Sequence, residues 1–258
     1  MAWIFLCLVA LAGCKTDAPG CFTPAGDEVL WTFEHLWTTE NEPSQLIIQD
    51  RIDVIWHADT GVPRVEIWGA EGVVGGVRCE VLSVQSDDGQ TVELVDVLTI
   101  WDEGTCHSVR DLSLRPTVEI WHPGFSHVKA EGQGDFTMID TLRRDYFLFE
   151  GENFSGDAQL LFVGDSLRVL QRAGVGNLVL AGSARWGALY LNGYGGMDAR
   201  YCTLSTALMH QDGIGDLQIN APNYAFVALR NAGDCLVYGQ PDQLDEDDQG
   251  AGEIVRMD

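Results

Sequence analysis

One string in the sequence brings together residues that could carry out hydrolytic chemistry. Gly164-Asp165-Ser166-Leu167 matches the signature of a lipase and esterase family in which the Ser is the nucleophile. That family pairs its Ser with a downstream Asp-x-x-His, and this sequence contains no such string. The four residues also fall in the middle of a repeating unit, so the sequence favours a structural turn over a nucleophile.

Regularly spaced carboxylates are a second candidate for chemistry. Asp135, Asp157, Asp216 and Asp234 recur about once every twenty residues. Polysaccharide-cleaving enzymes with a parallel β-helix gather their carboxylates, Ca²⁺ and basic residues on one face. A carboxylate that returns once per unit suits a structural ladder better than a single active site. We therefore predict no catalytic residue, and a protein that is not an enzyme.

Metal and cofactor sites are not predicted either. The six histidines show no ligand spacing, and no Cys-x-x-Cys or Cys/His cluster suggests zinc. The acidic run at 242–248 could bind Ca²⁺ weakly, but its composition favours a solvated loop that caps the last turn. The tryptophans of the first half could line a sugar-binding face, although such residues more often belong to a core.

Composition limits the class of protein and of partner. The chain has 258 residues, 46% of them hydrophobic, which is enough for a sizeable core. Its 29 glycines favour many tight turns, and its formal net charge of -24 repels nucleic acid. Nucleic acid is therefore excluded as a partner.

The N-terminus predicts export and lipidation. An unbroken apolar run, Trp3 to Ala12, is too short to span a bilayer and leads into Gly13-Cys14. This arrangement resembles a lipobox, after which a bacterial signal peptidase cleaves and Cys14 carries acyl chains. We expect residues 1–13 to be a signal peptide and 14–26 a tether, with the lipid holding the protein on a membrane. Because Lys15 and not Asp follows the Cys, the sequence favours the outer membrane or the cell surface.

Five cysteines remain after cleavage and lipidation, so at least one thiol is free. Cys79 and Cys106 are the most plausible disulfide pair, and Cys235 is expected to be a buried thiol.

The second half of the chain repeats itself with a period near twenty residues. Each copy carries a Gly-x-Gly-Asp-like string, and the third residues of successive strings lie 22, 20, 19, 20, 18 and 19 positions apart. In the fourth copy Gly196 and Met197 intervene before Asp198. The predicted structural turn residues are Gly132, Gly134, Asp135, Gly156, Asp157, Gly174, Gly176, Asn177, Gly195, Gly213, Gly215, Asp216, Gly233 and Asp234.

Apolar residues alternate after each string, which is the periodicity of a strand. The predicted inward pairs include Phe136 with Met138, Ala199 with Tyr201, and Cys235 with Val237. Another apolar position recurs upstream of most strings, at Val128, Leu170, Leu189, Met209 and Val227, with Glu150 as an exception. One string per unit at constant phase predicts an all-β parallel solenoid with about twenty residues per turn. An antiparallel sandwich or propeller is the alternative fold.

Several segments taken in order resemble the putative auto-transporter adhesin, head GIN domain family. These are 51–56 with 63–67, 92–94 leading to 106–110, the strand 117–123 that leads into the first repeat, and the closing segments 237–241 and 250–254. The resemblance covers roughly residues 45–258. Phe154 and Asn231 depart from it by replacing the first Gly of their units.

The resemblance implies a right-handed parallel β-helix, preceded by N-terminal strands, on a bacterial envelope protein. We expect residues 27–258 to form one domain, with the repeats at about 125–258 and the segment from Val29 to Asn41 capping the open end. The leading hypothesis is a non-catalytic, lipid-anchored cell-envelope protein that binds an unknown surface ligand, either a glycan or a protein. The alternatives are a polysaccharide-active enzyme and a structural protein whose ends stack.

Overall fold

The computed structural model describes residues 26–34, 36–37, 42–58, 62–87, 92–104 and 114–257. Within these ranges the chain forms eighteen strands and one short helix. The strands of the first half are β1 (Glu28–Glu34), β2 (Gln45–Ile48), β3 (Asp53–His57), β4 (Arg64–Ala70), β5 (Val77–Asp87), β6 (Val92–Asp102), β7 (Thr117–Trp121), β8 (His127–Glu131) and β9 (Phe136–Met138); the helix is α1 (Glu71–Val74). The strands of the second half are β10 (Leu142–Glu152), β11 (Ala158–Gln171), β12 (Leu178–Leu191), β13 (Met197–Gln211), β14 (Leu217–Asn220), β15 (Tyr224–Leu229), β16 (Cys235–Tyr238), β17 (Gln243–Asp248) and β18 (Ile254–Arg256).

The second half is a parallel β-solenoid, as the repeat predicts. From β8 and β9 onward each coil pairs in parallel with the next one. The stacked partners that begin each coil are Phe136, Ala158, Leu178, Met197, Leu217, Cys235 and Ile254. Their numbers differ by 22, 20, 19, 20, 18 and 19, the same steps that separate the glycine strings. Antiparallel pairing between these units is thereby excluded.

Apolar side chains stack inside the coil in columns. One column runs through Val128, Phe149, Val169, Leu189, Met209 and Val227, all fully buried. The sequence prediction was wrong for two of its members, because Val169 and not Leu170 faces inward, and Phe149 fills the place assigned to Glu150. In both coils the inward residue lies five positions before the string and not four, and this additional residue has no signal in the repeat.

The predicted inward residues of the fourth coil were also partly wrong. Its register shifts between Val179 and Ala181, as a bulge does, and Met197 rather than Ala199 is the first inward residue. Met197 and Ala199 are buried, whereas Tyr201, predicted to face inward, is 65% exposed. The additional residue moves every later side chain of that segment to the opposite face.

The first half is threaded out of sequence order. Strand β2 lies between β6 and β8, and β3 lies between β7 and β9, always in parallel. The coil formed by β2 and β3 therefore sits inside the stack, although it comes first in the chain. Partners such as Val54 and Phe136 are far apart in sequence, and no local pattern encodes their pairing.

Antiparallel strands cover the N-terminal end of the stack. Strand β4 pairs with β7, β1 pairs with the other edge of β4, and β5 pairs with β6. The N-terminal end of the stack is thus covered by antiparallel strands, and these prevent another parallel coil from adding there. This arrangement agrees with the expected capping role for the segment that begins at Val29, of which residues 35 and 38–41 lie outside the described ranges.

Three thiols are enclosed by this fold. Cys202 and Cys235 are fully buried, Cys79 is partly buried, and all three are free. Burial raises the pKa of each of them to about 12, so they stay protonated and unreactive at neutral pH. Cys106, the expected partner of Cys79, lies outside the described residues.

Replacing Gly156 with Ala tests the tightness of the stack. A Cβ on Gly156 would lie 1.9 Å from the carbonyl oxygen of Gly134 in the coil below. Two hydrogen-bonded backbones would have to separate, so we expect the free energy of unfolding in urea to fall by about 3 kcal/mol, the upper end of ordinary overpacking costs.

Gly196→Ala is the matched control for this prediction. Gly196 lies at the same corner two coils away, where the nearest atom to a new Cβ is the Asp216 carbonyl oxygen at 3.2 Å. We expect its stability to change by less than about 1 kcal/mol. Equal losses in the two variants would contradict the stacking explanation.

Candidate functional site

The second glycine of each repeat lies directly over the backbone of the preceding coil. A Cβ at Gly176 would lie 1.8 Å from the carbonyl oxygen of Gly156, and nearly the same contact occurs at every level. The stacked glycines are Gly134, Gly156, Gly176, Gly195, Gly215, Gly233 and Gly252. Close approach of the coils, and not a special backbone angle, makes these glycines necessary.

The first glycines of the repeats differ among themselves. Gly132 and Gly174 have φ near +118° and +117°, a conformation that favours glycine. A Cβ added to Gly213 would lie 2.6 Å from the Gly193 carbonyl oxygen, so crowding by the neighbouring coil requires a glycine there. Phe154, which replaces a first glycine, is buried and packs edge-on against Phe149 at 6.0 Å. The first position therefore tolerates a side chain where the second does not.

The aspartates after the glycines form a ladder along one corner. Asp135 Oδ1 accepts a hydrogen bond from the Asp157 N–H at 2.9 Å, and Asp157 Oδ1 accepts one from the Asn177 N–H at 2.9 Å. Above them Asp216 Oδ1 accepts from the Asp234 N–H at 3.1 Å, and Asp234 does the same for Glu253. Each carboxylate thus binds the backbone of the next coil, which is the geometry of a structural ladder.

Two features of this ladder were not predicted from the sequence, namely where it begins and where it is interrupted. Asp53 begins it, because its Oδ1 accepts from the Asp135 N–H at 2.9 Å and lies 3.2 Å from Arg115 Nη1. Asp53 belongs to the coil that is threaded out of order, so it carries no glycine string to mark it. Gly196, and not Asp198, occupies the fourth level of the ladder, where its N–H donates a hydrogen bond to Asn177 Oδ1 at 3.1 Å.

Asp198 has a different partner. It lies just before the bulge, pairs with Val179 and Gln218 in the sheet, and forms an ion pair with Arg200 at 2.6 Å. Hydrogen bonds from Arg200 lower the pKa of Asp198. Because Gly196 has no side chain, the ladder is interrupted between Asn177 and Asp216.

The Gly164–Leu167 string is part of the solenoid. A Cβ on Gly164 would lie 1.7 Å from the Arg144 carbonyl oxygen, so this glycine too is required by stacking. Ser166 faces outward on β11, two coils and four strand positions from His210. Spacings of about 4.8 Å between coils and about 3.3 Å per residue separate them by more than 10 Å. Ser166 and His210 therefore do not pair, and the described residues give the string a structural role in the stack.

The histidines and tryptophans of the first half are dispersed. His57 contacts Glu119 at 2.6 Å and stacks on Trp121, while the fully buried His122 packs on Phe125. Burial lowers the pKa of His122 to about 3, so its ring is neutral. Among the described residues no group of three or more His, Cys, Asp or Glu could hold a metal ion. Trp37 and Trp56 are buried, as the core interpretation predicts, whereas Trp31 and Trp68 are exposed.

The second half carries a groove on its outer surface, which we call the outer groove. It has a volume of about 610 Å³ and crosses strands β10–β13. Trp186, Ala188 and Tyr190 are consecutive outward residues of β12, and they form two aromatic walls with a small residue between them. Arg168 from the coil below and Leu208 from the coil above flank Ala188. Such a groove is concave, partly aromatic and edged with polar groups, as small-ligand sites are.

Neighbouring carboxylates influence the tyrosine and the two arginines of the outer groove differently. Burial, together with the nearby Asp212 carboxylate, raises the pKa of Tyr190. Arg172 forms an ion pair with Glu150 at 2.8 Å, whereas the exposed Arg168 has no ion-pair partner among the described residues. The sequence analysis missed this site because its residues come from four different coils. The alternation of Trp186, Ala188 and Tyr190 was the one local signal.

Architecture and site together define a parallel β-helix protein with a ligand-sized groove on an outer face. The chain belongs to the family described as "Putative auto-transporter adhesin, head GIN domain", whose model matches residues 42–241. No curated protein is similar to it in sequence at a significant level.

Solved structures share the fold over most of the chain. A "putative adhesin" from Bacteroides fragilis is 19% identical, with a TM-score of 0.74, over 90% of this chain and 97% of that chain. A "putative adhesin" from Parabacteroides distasonis is 16% identical, with a TM-score of 0.60, over 90% and 98% of the two chains. A "putative lipid binding protein" from the same species is 13% identical, with a TM-score of 0.60 and the same coverage. At these identities the likeness establishes the fold.

Restoring the missing rung with Gly196→Asn should stabilise the solenoid. An Asn there would place a side-chain oxygen opposite the Asp216 N–H, as Asn177 does for Gly196, without adding charge beside Asp198 and Asp216. We expect the free energy of unfolding to rise by about 1 kcal/mol relative to Gly196→Ala, the net worth of one hydrogen bond. Urea titrations of the two variants measure this difference. If the Asn variant is no more stable than the Ala variant, the ladder contributes nothing at this level.

Proposed function

We propose that the protein is a non-catalytic cell-envelope lipoprotein that presents its β-helix for adhesion or ligand binding, and that binding takes place in the outer groove. The groove itself carries this proposal, since it joins aromatic walls, a small floor and an uncompensated Arg168 in one concavity. Trp, Tyr and Arg are the residues that most often dominate binding energy at interfaces.

The names of similar proteins support a role in binding. The family and two of its structural relatives are described as putative adhesins. Another relative is described as a putative lipid binding protein. The outer groove is open along its length and has guanidinium, hydroxyl and imidazole groups among its walls. Because the rest of the lining is largely apolar, these features suit a ligand with both apolar and polar surface better than an acyl chain.

The use of the ladder carboxylates argues against an enzyme. Asp135, Asp157, Asp216 and Asp234 each accept a backbone hydrogen bond from the next coil. Carboxylates engaged in this way at successive levels do not converge on one substrate bond, as a glycoside hydrolase requires. The proposal of a polysaccharide-active enzyme therefore has less support than that of a binding protein.

The two ends of the solenoid argue against self-stacking. The N-terminal end is covered by antiparallel β4 and β1. At the other end the acidic run forms strand β17, and not the predicted loop, and Glu246 and Asp248 stand in register with the inward Val227 and Leu229. Inward-directed charges on an edge strand oppose the addition of another strand.

Attachment to the envelope depends on Cys14, which lies outside the described residues. No helix within the described residues is long and apolar enough to cross a membrane. A lipid on Cys14 would hold the domain through the tether of residues 14–26. Several acyl chains on one residue give stable attachment, since each buried methylene contributes about 0.8 kcal/mol.

Cys14→Ser tests the anchor. Without the thiol no acyl chain can be attached, so we expect the protein to move from the membrane fraction to the soluble fraction on cell fractionation. Cys7→Ser is the control, because Cys7 lies inside the predicted signal peptide and should leave the membrane attachment unchanged. Membrane association that persists in Cys14→Ser would show that the anchor lies elsewhere.

Ala188→Trp tests the outer groove. A third large ring between Trp186 and Tyr190 fills the groove without removing any buried contact. With the purified Cys14→Ser protein as the parent, we expect adherence to cells and to a glycan array to fall at least about tenfold, with unchanged thermal unfolding. Gln159→Trp, on an outward position of another face, should keep full adherence. Adherence that survives in Ala188→Trp would move the binding site away from the groove.

A further inference from the structure

The dimensions of the outer groove fit one or two sugar rings. Trp186 and Tyr190 are four residues apart on β12, which corresponds to about 13 Å along a strand. Ala188 leaves the space between them open, and the total volume of about 610 Å³ lies within the usual range for small-ligand pockets. A protein partner would need a surface of about 800 Å² on each side, far larger than this concavity.

Both walls are suited to the faces of sugar rings. Apolar C–H faces of a saccharide pack against aromatic planes, while its hydroxyl groups remain free for polar neighbours. Trp186 and Tyr190 have few side-chain torsion angles to fix, so little conformational entropy is lost when a sugar ring packs against them. Ser166 and His210, which also line the groove, supply polar groups at the edge.

The two guanidinium groups that line the groove differ in whether a carboxylate already pairs with them. The Arg172 guanidinium is already neutralised by Glu150 at 2.8 Å. Arg168 has no such partner among the described residues, and its planar fork matches a carboxylate in two parallel hydrogen bonds. Asp212 at the Tyr190 end would repel additional negative charge. The site is therefore complementary to a monoanion, and a dianionic phosphate fits it less well in a protein of net charge -24.

We propose that the outer groove binds an acidic saccharide, with a sugar ring between Trp186 and Tyr190 over Ala188 and its carboxylate on Arg168. This inference rests on the proposed binding function of the groove and adds the chemical class of the ligand.

Binding measurements with matched saccharides test the inference. The full-length protein is titrated with oligosaccharides that carry glucuronate, galacturonate or sialate, with the same compounds after reduction of the carboxyl group to an alcohol, and with hexose phosphates. We expect at least one carboxylate sugar to bind about tenfold or more tightly than its reduced form, the worth of one charge-assisted contact.

Two variants and a control assign this preference to residues. Arg168→Gln should lower the affinity for the acidic sugar to that of its reduced form and leave the reduced form unchanged. Trp186→Ala should weaken both forms by about tenfold. Arg185→Gln is the control, because Arg185 lies next to Trp186 in sequence, is exposed outside the groove and approaches only Asp165, at 3.6 Å. It should change neither affinity.

The outcomes separate this inference from the function on which it rests. Equal affinities for acidic and reduced sugars, a preference for the phosphates, or an Arg168→Gln variant that binds like the wild type would overturn the acidic-saccharide assignment. If no saccharide binds while Ala188→Trp still abolishes adherence to cells, the groove binds a ligand of another class, and only the ligand class is wrong. If Ala188→Trp adheres normally as well, both proposals are wrong.

Discussion

Close contact between stacked backbones is the constraint on which the rest of this structure depends. Coils hydrogen-bond at about 4.8 Å, and at one corner the second glycine of each repeat lies directly on the carbonyl group of the coil below. Any side chain there would separate the two backbones. The glycines therefore fix the register of all the coils, and this register aligns both the inner apolar columns and the ladder of aspartates. Outward positions are the ones it leaves unconstrained.

This constraint explains which features could be predicted from the sequence. A position that excludes every Cβ must be glycine at each level, so the glycine strings reveal the step of the coil and the parallel fold. Side-chain alternation then identifies most inward residues. It fails where two apolar residues are adjacent, as at Val169 and Leu170. It also fails at the bulge before Tyr201, because inserting one residue reverses the faces without changing the composition.

Two larger features had no local signal at all. The coil of β2 and β3 lies between strands that follow it by dozens of residues, and only tertiary pairing determines that position. Asp53 is in this coil and so begins the ladder without a glycine string. The outer groove is hidden for a related reason. Its lining comes from four coils, and residues about twenty positions apart become neighbours only once the register is known.

The difference between the corner positions, which stacking fixes, and the outward positions, which it leaves free, also limits where a ligand could bind. The corner residues, including the carboxylates that resemble catalytic groups, are committed to holding one coil on the next. A ligand site must then be built from outward side chains, whose replacement leaves the backbone pairing intact. In the outer groove Ala188 provides space, Trp186 and Tyr190 provide walls, and Arg168 provides the charge. Each lies on its coil's outer face, so binding specificity can change residue by residue while the stability of the solenoid stays with the glycines, the ladder and the buried columns.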